Sequence, residues 1–379
     1  MARVAWLVAR PLAGSGGQAT VYARARALER AGHRCTFHLP PSAAGELGAF
    51  AAALAHEHGI DADRVRAGMA DAAYCQAVIA TDWGGLAGVA LGPDVRPMQF
   101  LQDQEAGFRP LGDATLALEA APCSGAATIA LGRWLAASFA DRYGRRPFLC
   151  DFGVDTAIYR PDDAGPRDDA VAFVLQPDKL RRCPETGLAA LALVKRRRPQ
   201  TEIRLFGHDE PPTPPFPAEH LGRLAPSALA DLYRRCRVGL CLSASNPSRI
   251  PFEMMASGLP VVELYRANTL LDLPEAGALL AFQTPRSLAT AIVHLLERQD
   301  RAAALGAAGA GVMSGRSGVE DRQFVAAFEA ALAGAAPPAS GAPGVYRRPP
   351  VIAARESGPA TAAFLARQRA EAERLAAAA

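Results

Sequence analysis

Short apolar runs alternate with amphipathic segments along the first half of the chain. The apolar runs predict strands, which we place at residues 4–8, 35–38, 77–80, 98–101 and 128–131. Between the first two runs, residues 18–31 carry apolar side chains at helical spacing, and Gly32 ends this predicted helix. Runs that are apolar on both faces and separated by helices are typical of a parallel sheet covered on both sides.

The same alternation starts again after residue 170. Strands are predicted at residues 171–175, 203–206, 238–242 and 260–264, and helices at residues 184–197, 227–235 and 252–257. Repetition of one architecture predicts an α/β protein with two Rossmann-like domains. Turn-forming residues at 151–161 and the polar stretch after them indicate a hinge between these domains. We therefore predict an N-terminal domain at residues 1–157, a C-terminal domain at residues 158–335, and a Pro/Ala-rich linker with a terminal helix at residues 336–379.

Composition narrows the class of protein. A length of 379 residues fits two domains, at about 150 residues per domain, and two domains usually have a cleft between them. The net charge of +3 is small, and the positive residues fall in short clusters, which argues against a nucleic-acid partner. We expect local anion sites instead.

Cysteines and apolar stretches bear on the cellular compartment. The seven cysteines include no CxxC pair, which favours buried free thiols and a reducing cytoplasm over a disulfide framework. The apolar run at residues 4–8 is too short for a signal peptide, and no apolar stretch approaches the roughly 18 residues that cross a bilayer. We therefore expect a cytoplasmic protein without a transmembrane segment, acting from the aqueous phase.

A glycine-rich loop joins the first predicted strand to the first predicted helix. Without side chains at Gly14, Gly16 and Gly17, backbone N–H groups can approach an anion such as phosphate at the positive end of the helix. The spacing matches neither the Walker A motif nor the dinucleotide fingerprint. The alternative is a tight turn that binds nothing.

A second candidate site follows the strand predicted at residues 238–242. Glu253 falls in the first turn of a short predicted helix, and Pro251 suits the start of that helix. Backbone N–H groups there attract a pyrophosphate, while the carboxylate can accept hydrogen bonds from a ribose diol. Gly258 lets the chain turn back after the helix. The alternative is that Glu253 only complements the helix dipole.

Basic residues follow the opening strand of the second predicted domain. Lys179, Arg181 and Arg182 could neutralise the charge of a nucleoside diphosphate, and arginine does so through paired N–H donors. The alternative is a solvated basic loop, which we favour for residues 195–198 because they end a predicted helix. The nearest metal candidate, at residues 56–58, has ligands that diverge, so no metal site is predicted.

Six segments follow one another along the chain: GSGG at 14–17, AGH at 31–33, ATDW at 80–83, FLQDQEAGF at 100–108, ALGRWL at 130–135 and SNPSRIPFEMMASGLPVV at 245–262. In this order they resemble the segments of retaining GT-B glycosyltransferases of family four, and within it the WsaF-like rhamnosyltransferases of bacterial surface polysaccharide assembly. The resemblance extends over most of residues 3–300. It implies a GT-B fold, in which two Rossmann-like domains with parallel sheets face a cleft.

The resemblance also implies a donor site. The second domain would hold most of the nucleotide, with Glu253 on the ribose and Arg181 or Arg182 on the diphosphate. Gly16 and Gly17 would close on the donor from the first domain. No cofactor is implied beyond the donor substrate itself, a nucleotide sugar such as dTDP-rhamnose.

Three polar residues follow the strand predicted at residues 98–101. Gln102, Asp103 and Glu105 lie where open α/β sheets place ligands, so we predict that they face the sugar or the acceptor, with catalytic roles for both carboxylates. The alternative is a polar start to a loop. Trp83 and Trp134 could stack on sugar rings, although an aromatic residue near a strand end is more often part of the core.

Two positions depart from the family pattern. Relatives usually carry a glutamate at the position of Ser245, and often an arginine at the position of Gln176. Arg249, one helical turn before Glu253, is the third predicted catalytic residue, and Lys179 could replace the missing arginine. A reduced or lost activity stays open.

The predicted function is metal-independent transfer of a sugar, rhamnose by resemblance, from a nucleotide sugar to a surface-polysaccharide or lipid-linked glycan acceptor. The resemblance implies that the anomeric configuration of the sugar is retained. It also implies that the protein acts at the inner face of the membrane, with peripheral membrane contact. Two alternatives stay open: a degenerate nucleotide-sugar-binding subunit without turnover, and a sugar-nucleotide epimerase, which lacks a clear acidic and histidine pair here. An oxidoreductase fits least, because the dinucleotide fingerprint is incomplete.

Overall fold

A computed structural model describes residues 1–9, 16–68, 74–87, 89–162, 165–210, 212–339 and 344–378. The chain divides into two compact units, of which the first comprises Met1–Asp151 with Glu320–Gly341 and the second Phe152–Val319 with Ala342–Ala378. The units follow spatial contacts, whereas the domain bounds at residues 157 and 335 stay a prediction from sequence.

The first unit is built on a parallel sheet. Its strands are β1 (Arg3–Leu7), β2 (Arg34–Leu39), β3 (Val65–Ala67), β4 (Ala77–Ala80), β5 (Arg96–Leu101), β6 (Ala127–Leu131) and β7 (Phe148–Cys150). Among the described residues they form one seven-stranded sheet in the order β3-β2-β1-β4-β5-β6-β7. Val4 pairs with both Cys35 and Ala77 in parallel register. All of β4 and most of β1 are buried, as expected for central parallel strands covered on both faces.

A second parallel sheet forms the second unit. Its strands are β8 (Ala170–Val174), β9 (Glu202–Phe206), β10 (Glu219–His220), β11 (Val238–Leu240), β12 (Val261–Leu264) and β13 (Ala278–Ala281). Within the described ranges their order is β10-β9-β8-β11-β12-β13. Strands β9 and β10 lie on one side of β8, and the next strands in sequence, β11 to β13, lie on its other side. A topological switch point therefore lies between β8 and β11. The first sheet has the equivalent point between β1 and β4.

Helices cover these sheets. They are α1 (Gly16–Arg30), α2 (Leu47–His58), α3 (Asp113–Ala120), α4 (Arg133–Tyr143), α5 (Pro184–Arg197), α6 (Pro226–Arg235), α7 (Ile250–Ala256), α8 (Ala267–Asp272), α9 (Pro285–Glu297), α10 (Gln299–Ser314), α11 (Val319–Leu332) and α12 (Pro359–Ala378). In the described part of the chain, no helix is both long and apolar enough to span a bilayer. The terminal helix predicted from the sequence is confirmed as α12.

Helix α11 packs within the first unit, although it follows the second unit in sequence. Phe324 stacks on Trp6 of β1 with ring centroids 5.8 Å apart and meets Phe100 of β5 edge-on at 4.9 Å. Arg24 of α1 forms an ion pair with the buried carboxylate of Glu320, with 2.5 Å between Nη1 and Oε1. Aromatic packing and a buried charge pair therefore fix α11 to the first sheet.

Candidate functional site

The loops that follow β8 and β11 bond to each other at the switch point of the second sheet. The backbone N–H of Ala244 donates to the Arg181 carbonyl at 2.9 Å. Nη1 of Arg182 donates to Ser243 Oγ and to the Asn246 carbonyl, both at 2.9 Å. Open α/β sheets bind ligands in the crevice at such a point, outside the carboxyl ends of the strands. The structure therefore places Arg182 at the switch point of the second sheet, which makes it a candidate for binding a ligand.

A buried carboxyl group lies beneath this loop contact. Glu263 of β12 is 0% exposed, and its side chain accepts hydrogen bonds from the Leu264 N–H and from Ser243. Burial raises the pKa of Glu263 to about 8, although these bonds and the nearby charge of Arg182 act in the opposite direction. Glu263 thus joins β12 to the loop after β11.

The loop after β8 concentrates positive charge. Burial lowers the pKa of the Lys179 ammonium; the Asp178 charge opposes this shift, and the charges of Arg181 and Arg182 add to it. The Lys179 N–H donates to the Gln176 carbonyl at 3.0 Å, which tightens the turn that holds these cations together. A bound anion would relieve their mutual repulsion, since an opposite charge favours the charged form of each cation.

Helix α7 begins directly after the loop that follows β11. Glu253 lies in its first turn, and Pro251 lies at its start, as predicted. Arg249 precedes the helix, with its Nε 3.9 Å from Glu253 Oε1. Gly258 adopts a φ of +73°, and the Leu259 N–H bonds the Met254 carbonyl at 2.9 Å, so the predicted tight turn is confirmed. The structure thus brings Arg249 and Glu253 together on one side of α7.

Asn268 of α8 stabilises the same loop. Its Nδ2 donates to the carbonyls of Ser243, at 2.9 Å, and Ser245. Sequence reasoning missed Asn268, Ser243 and Asn246, all of which are buried. For Ser243 and Asn246 a usable signal was present, because both are polar residues close after the apolar strand β11.

Gly16 and Gly17, two of the glycine residues predicted to bind phosphate, open helix α1. Gln102 Nε2 donates to the Gly17 carbonyl at 3.1 Å, which connects the loop after β5 to the start of α1. A Cβ atom on Gly16 would meet no atom within 4 Å, so packing among the described residues does not demand glycine there. Gly14 and Ser15 lie outside the described residues.

Asp103 and Glu105 both contact the segment around Trp83. Trp83 donates its indole N–H to the Asp103 carbonyl at 2.9 Å and its backbone N–H to Glu105 Oε2 at 3.1 Å. Asp103 Oδ1 accepts from the Gln104 N–H at 2.9 Å. The catalytic roles of Asp103 and Glu105 stay a prediction. Trp83 is 2% exposed and Trp134 packs on the same apolar cluster, which excludes Trp83 from stacking on a sugar in this arrangement.

Asp82 is a further polar residue near the switch point of the first sheet. It follows β4, and burial raises the pKa of its carboxyl against the hydrogen bonds from the N–H groups of Gly84 and Gly85. It was not among the predicted site residues, although it belongs to the ATDW segment quoted for the family resemblance.

Comparison with known proteins adds to this geometry. A family model of the WsaF C-terminal domain matches residues 169–293, which span β8 to most of α9. This range includes the loops that follow β8 and β11. No curated protein sequence matches the chain. Among solved structures, the chain is similar to Anabaena HepE in complex with UDP, with a TM-score of 0.67, 16% identity and coverage of 86% of this chain and 100% of that chain.

Two further structures show the same likeness. An α-glucosyltransferase in complex with UDP has a TM-score of 0.55 and 10% identity, over 86% of this chain and 100% of that chain. A putative UDP-N-acetylglucosamine 2-epimerase from Listeria monocytogenes has a TM-score of 0.56 and 12% identity, over 89% of this chain and 98% of that chain. The fold is GT-B. At these identities the likeness establishes the fold alone, and the predicted pair of Rossmann-like parallel sheets is confirmed.

Proposed function

We propose that this GT-B chain is a glycosyltransferase that takes its sugar from a nucleoside-diphosphate donor. The observation that carries the proposal is the Arg182 guanidinium, bonded to the loop after β11 at the switch point of the second sheet. Three findings support it: the match to the WsaF C-terminal domain, and the UDP in the complexes of HepE and the α-glucosyltransferase.

In this proposal the basic loop binds the donor diphosphate. Lys179, Arg181 and Arg182 contact its oxygens, while Glu253 accepts hydrogen bonds from the ribose hydroxyls. Arginine suits this task because its planar guanidinium donates two parallel hydrogen bonds to phosphate oxygens. In the first unit, Gly16 and Gly17 offer the N–H groups at the start of α1 to phosphate.

Glycosyl transfer breaks the bond between the anomeric carbon and a diphosphate oxygen and forms a bond to an acceptor hydroxyl, which loses its proton. Negative charge grows on the departing diphosphate, so prearranged cations lower the barrier. We propose that the basic loop supplies this stabilisation without a metal ion, and that Asp103, Glu105 and Arg249 are catalytic. The finer proposal is retaining transfer of rhamnose from dTDP-rhamnose to a surface-polysaccharide or lipid-linked glycan at the inner membrane face.

Binding measurements with UDP and pyrophosphate separate the proposed roles. Arg182→Lys keeps the charge but loses the paired donors, so we expect about tenfold weaker binding of both ligands by calorimetry. Glu253→Gln should weaken UDP binding and leave pyrophosphate binding unchanged, because only UDP carries the ribose. Arg196→Lys, at an exposed position near the end of α5, is the matched control and should bind both ligands like the wild type. Equal affinities in the wild type and Arg182→Lys would contradict the proposed diphosphate site.

A further inference from the structure

The C-terminal segment, defined as residues 344–378, packs along the edge of the second sheet. The Tyr346 N–H donates to the Leu270 carbonyl at 2.8 Å, and its hydroxyl donates to the Ala278 carbonyl at 3.1 Å. The Val351 N–H donates to the Leu280 carbonyl of β13, and the Val351 carbonyl accepts from the N–H of Phe282, which follows β13. Both hydrogen bonds are 2.9 Å long. These bonds direct helix α12 onto α8, against which it packs.

Two neighbouring side chains of α12 contact the start of α8. Gln368 Oε1 accepts a hydrogen bond from the backbone N–H of Ala267, the first residue of α8, at 3.1 Å. The first N–H groups of a helix have no partner within the helix, and Ala267 is buried, so the Gln368 amide satisfies a donor that bulk water does not reach. Arg369 Nε donates to the hydroxyl of Tyr265, two residues before α8, at 3.2 Å.

Helix α8 transmits this contact to the proposed donor site. Asn268, next to Ala267, holds the carbonyls of Ser243 and Ser245, and Ser243 Oγ accepts from Arg182. Two sets of hydrogen bonds, one between Gln368 and Ala267 and one between Asn268 and the carbonyls of Ser243 and Ser245, therefore meet at adjacent residues of α8. They connect the C-terminal helix to the donor loop, defined as residues 243–246.

We propose that Gln368 and Arg369 are positioning residues, through which the C-terminal helix holds the donor loop in the arrangement that binds the nucleotide. The effect on the nucleotide rests on the proposed function, whereas the effect on the loop does not. Gln368 and Arg369 touch no ligand in this proposal. They act through Ala267, Tyr265 and Asn268.

Three full-length variants test the proposal. Gln368→Met keeps the length and volume of the side chain but removes the acceptor, whereas Gln368→Glu keeps an acceptor oxygen for the Ala267 N–H. Arg367→Met alters an exposed neighbour on the same helix and serves as the control. The measurements are hydrogen exchange of the backbone amides at residues 244–246 and 267–268, with residues 203–206 of β9 as the internal reference, and the affinity for UDP.

Gln368→Met should speed exchange in the donor loop and at the start of α8 by about threefold to tenfold, the effect of losing one hydrogen bond, and leave residues 203–206 unchanged. UDP affinity should fall in the same range. Gln368→Glu should restore both readouts, and Arg367→Met should match the wild type.

Unchanged exchange in the donor loop of Gln368→Met would overturn the positioning role, whether or not UDP binds. Faster exchange at every measured site would also overturn it, since it would mean general destabilisation. If the loop exchanges faster but the wild type binds no UDP, the contact with α8 stands and the proposed function fails.

Discussion

At the residue scale, Glu263 is a buried acidic residue next to the proposed donor site. Its carboxyl is fully buried beside Ser243 and Arg182, and burial raises its pKa to about 8. The folded chain therefore keeps a proton that the unfolded chain releases near pH 4.5, the ordinary pKa of glutamate. The contribution of Glu263 to stability is complete below pH 4.5, declines above it, and is lost once the pH has passed about 8.

Glu263→Gln should make the free energy of unfolding depend less on pH, because the amide stays neutral at every pH. We expect the free energy of unfolding of the wild type to fall between pH 5 and pH 8 by up to about 1.4 kcal/mol per pH unit more than that of the variant. Urea unfolding at several pH values in this range measures the difference, in which all titrations common to both proteins cancel. Parallel pH profiles would contradict the assigned environment.

The sequence was sufficient to predict several polar residues of the candidate site, but not the hydrogen bonds between them. Lys179, Arg181, Arg182 and Glu253 were predicted from charge and from their places after apolar runs. Asn268 could not be assigned this way, because its hydrogen-bond partners lie 23 and 25 residues away in sequence. Only the folded sheet brings such residues together.

At the element scale, helix α11 packs on elements that lie far from it in sequence. Its Phe324 contacts Trp6 of β1 and Phe100 of β5, and its Glu320 pairs with Arg24 of α1. Periodicity indicates that a segment is helical and which face is apolar, but it does not name the surface that the face covers. Short strands escaped prediction for a related reason, since β10 is two exposed residues, and β13 lies in an Ala/Leu-rich stretch that also fits a helix.

Arg24→Met tests the attachment of α11. The variant would remove the guanidinium that pairs with the buried Glu320 carboxylate, and we expect a loss of about 3–5 kcal/mol in the free energy of unfolding. Adding Glu320→Gln should recover most of the loss. Arg30→Met removes the ion pair between Arg30 and Asp321, in which the arginine side chain is 62% exposed. This substitution should lower the free energy of unfolding by less than about 1 kcal/mol. Urea unfolding compares the variants, and equal losses for Arg24→Met and Arg30→Met would contradict a buried attachment.

At the scale of the whole molecule, the two units repeat one plan. Each has a parallel sheet with a switch point next to its first strand, and polar or glycine residues follow the strands there. The repeated apolar runs were sufficient to predict this architecture, because central parallel strands must be apolar on both faces. The residues proposed to bind the donor and the acceptor lie in the loops or at helix starts, whose conformations no periodicity determines.

The proposed activity is the transfer of a sugar from a nucleoside diphosphate to an acceptor. The most direct measurement incubates the full-length protein with dTDP-, UDP- and GDP-sugars, with and without rhamnosylated acceptors, and follows both the nucleoside diphosphate and the glycan by mass spectrometry. We predict acceptor-dependent release of the nucleoside diphosphate together with an acceptor one sugar heavier, dTDP-rhamnose being the preferred donor, and unchanged turnover in the presence of a chelator. Nucleotide binding without any release would contradict the claim and indicate a binding subunit, and an altered sugar still attached to its nucleotide would indicate an epimerase.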